Sequence, residues 1–205
     1  MEPHVYLAFV AATTIMILSP GPSVLLTVSH SISFGWRYAL GTVTGETAGV
    51  AVQLLVAAVG LASLLNTVSA AFQWLCWAGA AYLVYLGIKQ WQSASGPLEL
   101  GVPSTSRANL FVQGLVITVP NPKSLIFIAA FLPQFVDSTR PLGLQLAAIV
   151  PTFLVITFVV TSGWALAAGK ARDLLQNQRA HRAFVRGAGV LTIVAGLGLA
   201  LARLG

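Results

Sequence analysis

No Asp, Glu, Lys or Arg occurs from Pro3 to Trp36, from Thr47 to Ile88 or from Pro141 to Gly169. A bilayer hydrocarbon core of about 30 Å is crossed by about 20 apolar helical residues, and each run exceeds that length. A soluble domain covers its surface with charge, at about 25% of residues. Here 8% of the 205 residues are charged and 57% are hydrophobic, with a mean hydropathy of +0.84. The sequence therefore predicts an all-α integral membrane protein.

Polar interruptions divide the chain into six spans. The first runs from about Val5 to Val28, and a loop near Ser31 to Arg37 leads to the second, about Ala39 to Leu64. Asn66-Thr67 is the only polar break before the third, about Ala70 to Ile88. A long polar connector, Gln90 to Arg107, precedes the fourth span, about Ala108 to Phe135. A turn at Asp137 to Pro141 leads into the fifth, about Leu142 to Ala168. Lys170 to Arg186 is a basic loop, and the last span covers about Gly187 to Ala202. One membrane domain, 1–205, accounts for the whole chain.

The net charge of +6 and a pI near 10.1 do not point to nucleic acid, because the basic residues sit between spans and form no face with interleaved aromatics. Their distribution sets an orientation instead. Arg37, Lys89, Arg107, Lys170, Arg172, Arg179, Arg182 and Arg186 fall on one face, against Arg140 and Arg203 on the other. The basic face is expected to be cytoplasmic, with both termini outside. Trp36, Tyr38, Tyr85, Trp91 and Trp164 fall near that cytoplasmic boundary, where interfacial aromatics gather. Glu2 and His4 occupy the place where a signal peptide needs positive charge, so the first segment is expected to be retained as a helix. Cys76, alone in an apolar run, is expected to pack rather than react.

Pro20-Gly21-Pro22 in the first span and Pro120-Asn121-Pro122 in the fourth are both Pro-x-Pro breaks, separated by the long connector. They divide the chain into a first repeat of about 1–90, a connector of 91–107 and a second repeat of about 108–205. Three spans per repeat force the second to run upside down, the outline of an inverted-repeat transporter. Proline lacks an N–H and clashes with the preceding turn, so each break frees backbone groups that cannot face lipid. At about 1.5 Å per residue, Pro20 lies ~22 Å in from one side and Pro120 ~18 Å in from the other. Half-helices ending there aim their partial charges at a shared central site. The expected substrate-binding elements are Pro20, Gly21, Pro22 and Ser23 with Asn121, Pro122 and Lys123.

Gly41, Gly45 and Gly49 repeat every four residues in the second span, a smooth stripe for close helix packing. Beside it sits Glu46, the only acidic residue deep within a span, and Lys123 is the only interior cation. A charge at mid-membrane costs roughly 2.5–3.5 kcal/mol on insertion scales, so both are read as functional, with Glu46 exchanging a coupling proton. Depth arithmetic at about 1.5 Å per residue separates their backbones by ~12 Å, which favours a shared cavity bridged by substrate or water over a permanent contact. No enzyme is expected. His4, His30 and His181 are scattered over termini and loops without metal spacing, no serine has an activating His and carboxylate, and no phosphate loop is present. No cofactor or metal is implied.

At these residues the chain resembles the LysE/RhtB family of bacterial amino-acid exporters. The matching stretches are Leu18-Ser19-Pro20-Gly21-Pro22, Gly41 to Glu46, Trp77-Ala78-Gly79-Ala80-Ala81-Tyr82-Leu83 with Leu86-Gly87, Asn121-Pro122-Lys123-Ser124, and Phe131-Leu132-Pro133-Gln134-Phe135. The last two resemble the homoserine/threonine branch. The resemblance implies efflux of small neutral amino acids or derivatives across the inner membrane. The family's acidic position is often Asp; Glu46 keeps the charge on a longer arm. Two other classes compete: a passive channel, against which no span shows a ring-forming polar stripe, and a non-transporting membrane scaffold, which predicts no solute-dependent phenotype. A homo-oligomer is compatible with the sequence.

Overall fold

The computed structural model describes residues 2–64, 106–137 and 139–171, with isolated positions between 77 and 92 and between 179 and 197. Every regular element among the described residues is helical. Helix α1, Pro3–Leu18, opens on a proline at its first turn, where no N–H is needed. It ends because Ser19 precedes Pro20 and Gly21 precedes Pro22, and the residue before a proline is driven out of the helical region. Ser19 and Gly21 are accordingly extended, at ψ 106° and −169°. Helix α2, Pro22–Phe34, then starts on its own proline, bent 56° from α1.

Helix α2 continues past Val28, where a loop was expected, and Gly35 alone links it to α3, Trp36–Leu64. Ser29, Ser31 and Ser33 look like a loop by composition, but Ser31 is buried and donates its hydroxyl to the Ala165 carbonyl. Tertiary bonding absorbs the polarity, and the chain turns only at Gly35, whose φ of +88° suits glycine.

Helix α4, Arg107–Thr118, is capped by Ser106, whose side chain accepts from the Asn109 N–H at 3.2 Å. Val119 stays helical although it precedes Pro120, so this break falls later, at Asn121, with ψ 110°. Helix α5, Pro122–Phe131, runs into a 3₁₀ turn at Leu132–Phe135, and the pair is bent 54° from α4. Helix α6 is Leu142–Lys170. By length and composition α3 and α6 can each cross a membrane, and each bent pair can form one further span. The same order therefore occurs twice: a bent pair, then a helix of 29 residues.

Direction follows from packing. Gly41 lies against Arg107, Gly45 against Phe111 and Gly49 against Thr118, so α3 and α4 run parallel. A Cβ on Gly45 would lie 2.0 Å from the Phe111 carbonyl oxygen, and one on Gly114 2.3 Å from that of Thr42. The two backbones meet where both chains have glycine. The bent pair α1–α2 ends where α3 and α4 begin, so it runs opposite to α4–α5. At one end Arg140 bonds Glu2 at 2.6 Å and Asp137 at 3.1 Å, tying the amino-terminal helix to the turn before α6. Hydrogen bonds from Thr139 hold the Asp137 carboxyl below the usual carboxylate range. At the other end Arg107 covers the Tyr38 ring, and Gly169 abuts Trp36. The largest apolar cluster lies toward the Glu2 end, with Phe9, Phe127 and Phe153 at its centre.

The expected third and last spans, Cys76 and most of the basic loop lie largely or wholly outside the described residues; the scattered positions described in those two spans are helical.

Candidate functional site

The two breaks meet around a cavity of about 40 Å³. Of the residues expected to form a site, Gly21, Ser23, Glu46, Asn121 and Lys123 line it. Pro20, Pro22 and Pro122 do not; they shape the backbone that presents the others. Gly41, Gly45 and Gly49 face α4, with no part in the cavity lining.

Each break is completed by a side chain from elsewhere. Lys123, second residue of α5 and 5% exposed, donates its ammonium to the Ser19 carbonyl, at the end of α1. A helix carboxyl end carries roughly half a negative charge, so a cation belongs there. Gly21 leaves room for the lysine stem: a Cβ at this position would stand 3.0 Å from Lys123 Cδ. At the second break Gln53 of α3 donates Nε2 to the Thr118 and Val119 carbonyls, at 2.6 and 3.1 Å. The Thr118 carbonyl also accepts from the Asn121 N–H at 2.9 Å, because Pro122 has no N–H to offer it, and the Lys123 N–H that would reach Val119 bonds the Asn121 side chain instead. Asn121 caps α5 by accepting from the Lys123 N–H at 3.1 Å, and its amide donates to the Ser23 hydroxyl at 3.3 Å, joining the breaks directly.

Glu46 approaches from α3, 2% exposed, and accepts from the Thr27 hydroxyl at 2.7 Å. Among the described residues it makes no ion pair with Lys123, although both line the same cavity. Thr157 and Thr161 of α6 complete the wall. Their hydroxyls donate to the carbonyls one turn back, at 2.8 and 2.7 Å, leaving oxygen lone pairs for an occupant. Thr118 also lines the cavity, and its buried hydroxyl has no hydrogen-bond partner among the described residues.

Glu46, Lys123, two helix amino ends and two carboxyl ends thus surround a small space whose wall is otherwise largely apolar. Among the described residues no three His, Cys, Asp or Glu side chains could hold a metal. At about 40 Å³ there is room for one or two waters, at about 30 Å³ each. An amino acid needs more room than this space offers.

Sequence reading missed Gln53, Thr118, Thr157 and Thr161. Gln53 lies two turns from Glu46 on one face of α3, and the threonines are spaced four apart, so a period-seeking look at polar residues inside the spans finds both. His30 was missed for another reason: the expected loop excluded it from the interior, whereas it is buried in α2 with Nδ1 2.7 Å from the Thr42 hydroxyl.

No solved structure matches the chain. It is 34% identical over 200 residues to the homoserine/homoserine lactone efflux protein of Salmonella typhimurium, covering 97% of each chain. It is 27% identical over 163 residues to the leucine efflux protein of Salmonella choleraesuis, covering 77% of this chain and 76% of the relative. The sequence profile of LysE type translocators matches residues 14–203. The chain belongs to the LysE type translocator family.

Proposed function

We propose that this protein is a secondary exporter that carries small neutral amino acids or their derivatives, of the homoserine and threonine kind, across the bacterial inner membrane in exchange for protons. The observation that carries this is the joint lining of one cavity by Glu46 and Lys123 without an ion pair between them. A zwitterion supplies the missing counter-charges: its carboxylate draws Lys123 from the Ser19 carbonyl, and its ammonium meets Glu46 and the threonine oxygens. The names of the relatives, which concern efflux of homoserine, its lactone and leucine, support the neutral class. Glu46, the sole carboxylate of the described interior, carries the coupling proton.

Six spans in two inverted repeats suit this activity. The repeated order of bent pair and long helix, with the bent pairs running in opposite directions, supports that layout. Both termini lie in the periplasm and the basic face in the cytoplasm.

Inside-out vesicles offered a panel of labelled amino acids, with and without a proton gradient, test this. Accumulation of homoserine or threonine that vanishes when the gradient is collapsed is expected. Flux unchanged after collapse would indicate a passive channel, and transport confined to dications would reject the neutral class.

A further inference from the structure

We propose that His30 relays the coupling proton between Glu46 and the basic end of the bundle, a role that rests on the proton coupling proposed above. Helices α2 and α3 lie side by side in opposite directions, joined by two buried polar rungs. Thr27 donates to Glu46 Oε1 at 2.7 Å, and the Thr42 hydroxyl meets His30 Nδ1 at 2.7 Å. Thr27 and His30 are one turn apart on α2, as Thr42 and Glu46 are on α3. The rungs are therefore about 5 Å apart, a helical turn's rise, and one water can bridge such a gap. Gln113 of α4 also interacts with the imidazole and is itself exposed. A polar path thus leads from the cavity through Glu46, the threonines and His30 to the surface near the basic end.

The opposite direction is different in kind. Toward the Glu2 end Phe153 of the cavity wall belongs to a group of phenyl rings: Phe127 stacks on Phe131 at 4.7 Å, Phe9 meets Phe135 edge-on at 5.5 Å, and Phe153 stands 6.4 Å from Phe127. The polar path through His30 leads away from these rings, toward the face where the proton leaves during export.

Imidazole suits the position because one nitrogen can receive a proton while the other releases one. In the step itself, protonated Glu46 yields its proton through Thr42 or a bridging water to His30 Nδ1. The carboxyl becomes carboxylate and the ring imidazolium; the other nitrogen then gives up its proton toward Gln113 and water, restoring neutral imidazole. The other ionisable groups on elements packed against α2 are Arg37 and Tyr38 of α3, Arg107 of α4 and Lys170 of α6, among the described residues. These flank the helix ends at the exit, whereas Glu46 alone lies along the path. A histidine serving only to fill the core would need neither the adjacent carboxylate rung nor the exposed glutamine beyond.

The test compares two fluxes of labelled homoserine in proteoliposomes: accumulation driven by a proton gradient, and exchange at equal concentrations without one. His30→Asn keeps a hydrogen-bonding group for Thr42 but cannot pass a proton. It should lower driven accumulation about tenfold or more, as loss of a proton-transfer group does, with exchange changed less than about twofold. Thr42→Val, which removes the rung, should lower driven accumulation in the same selective way. Driven accumulation at the parent level in His30→Asn would overturn the relay while leaving the coupling role of Glu46 intact. Equal loss of both fluxes, or failure of both His30→Asn and His30→Gln to fold, would assign His30 to packing and also overturn it. If Glu46→Gln still accumulates homoserine normally, the coupling reading fails first, and the relay falls with it.

Discussion

At the scale of single residues, the site is built from exchanges between the two halves. Lys123 of the second half bonds a carbonyl at the break in the first, and Gln53 of the first bonds two carbonyls at the break in the second. The two have different consequences. Lys123→Ala removes the proposed partner of the substrate carboxylate, so both driven export and exchange should be lost, measurable as uptake and counterflow in vesicles. Exchange at the parent rate would exclude Lys123 from binding. Gln53→Leu leaves the Val119 carbonyl without its donor and the Thr118 carbonyl with the Asn121 N–H alone, and an unsatisfied buried group costs about 1–3 kcal/mol. It should lower the melting temperature in detergent, whereas a conservative Gln53→Glu cannot restore the donation. Glu46 and Lys123 are legible in the sequence because charge is so rare within the spans. Gln53 and His30 are not, because an uncharged polar residue gains its meaning only from the partner that tertiary packing brings.

Among elements, the breaks and the glycine stripe are local features, and both can be read in advance. A proline acts on its immediate neighbours, so Pro20-Gly21-Pro22 and Pro120-Asn121-Pro122 announce broken helices in any context. The bends of 56° and 54° follow. What local chemistry hides is the survival of Val119 in the helix, which moves the second break to Asn121, and the extension of α2 to Phe34. Both depend on bonds to distant elements. Pro22→Ala and Pro122→Ala should straighten the breaks and reduce export by more than they reduce membrane insertion, measured as flux per inserted protein. Parent flux in both would make the breaks packing features. Gly45→Leu should act differently, since its Cβ alone would collide with the Phe111 backbone. Overpacking of this kind costs about 1–3 kcal/mol or more, so the amount of folded protein should fall together with flux, and unchanged thermal stability would contradict the close α3–α4 contact.

For the whole molecule, charge rarity gives membrane class at once, and the lopsided Lys and Arg distribution gives a sidedness. The pairing of Glu2 with Arg140 at one end, and of Arg107 with Tyr38 at the other, fits that division. Single cysteines at Ser93, Gln178 and Ser138 in a Cys76→Ala background test the orientation with an impermeant reagent in intact cells. Ser138 should label from outside and the other two should not; labelling of Ser93 and Gln178 would invert the topology. The ends of the bent pairs form walls of the cavity, so the breaks and the site belong to the same elements. Everything then turns on whether this cavity couples a proton to a zwitterion. The most direct measurement is made on Glu46→Gln in proteoliposomes, comparing homoserine accumulation under a proton gradient with homoserine exchange in its absence. Loss of accumulation with exchange retained is the predicted result, because the binding site survives and its proton carrier does not. Normal accumulation against a concentration gradient would contradict it and leave Glu46 as a structural charge.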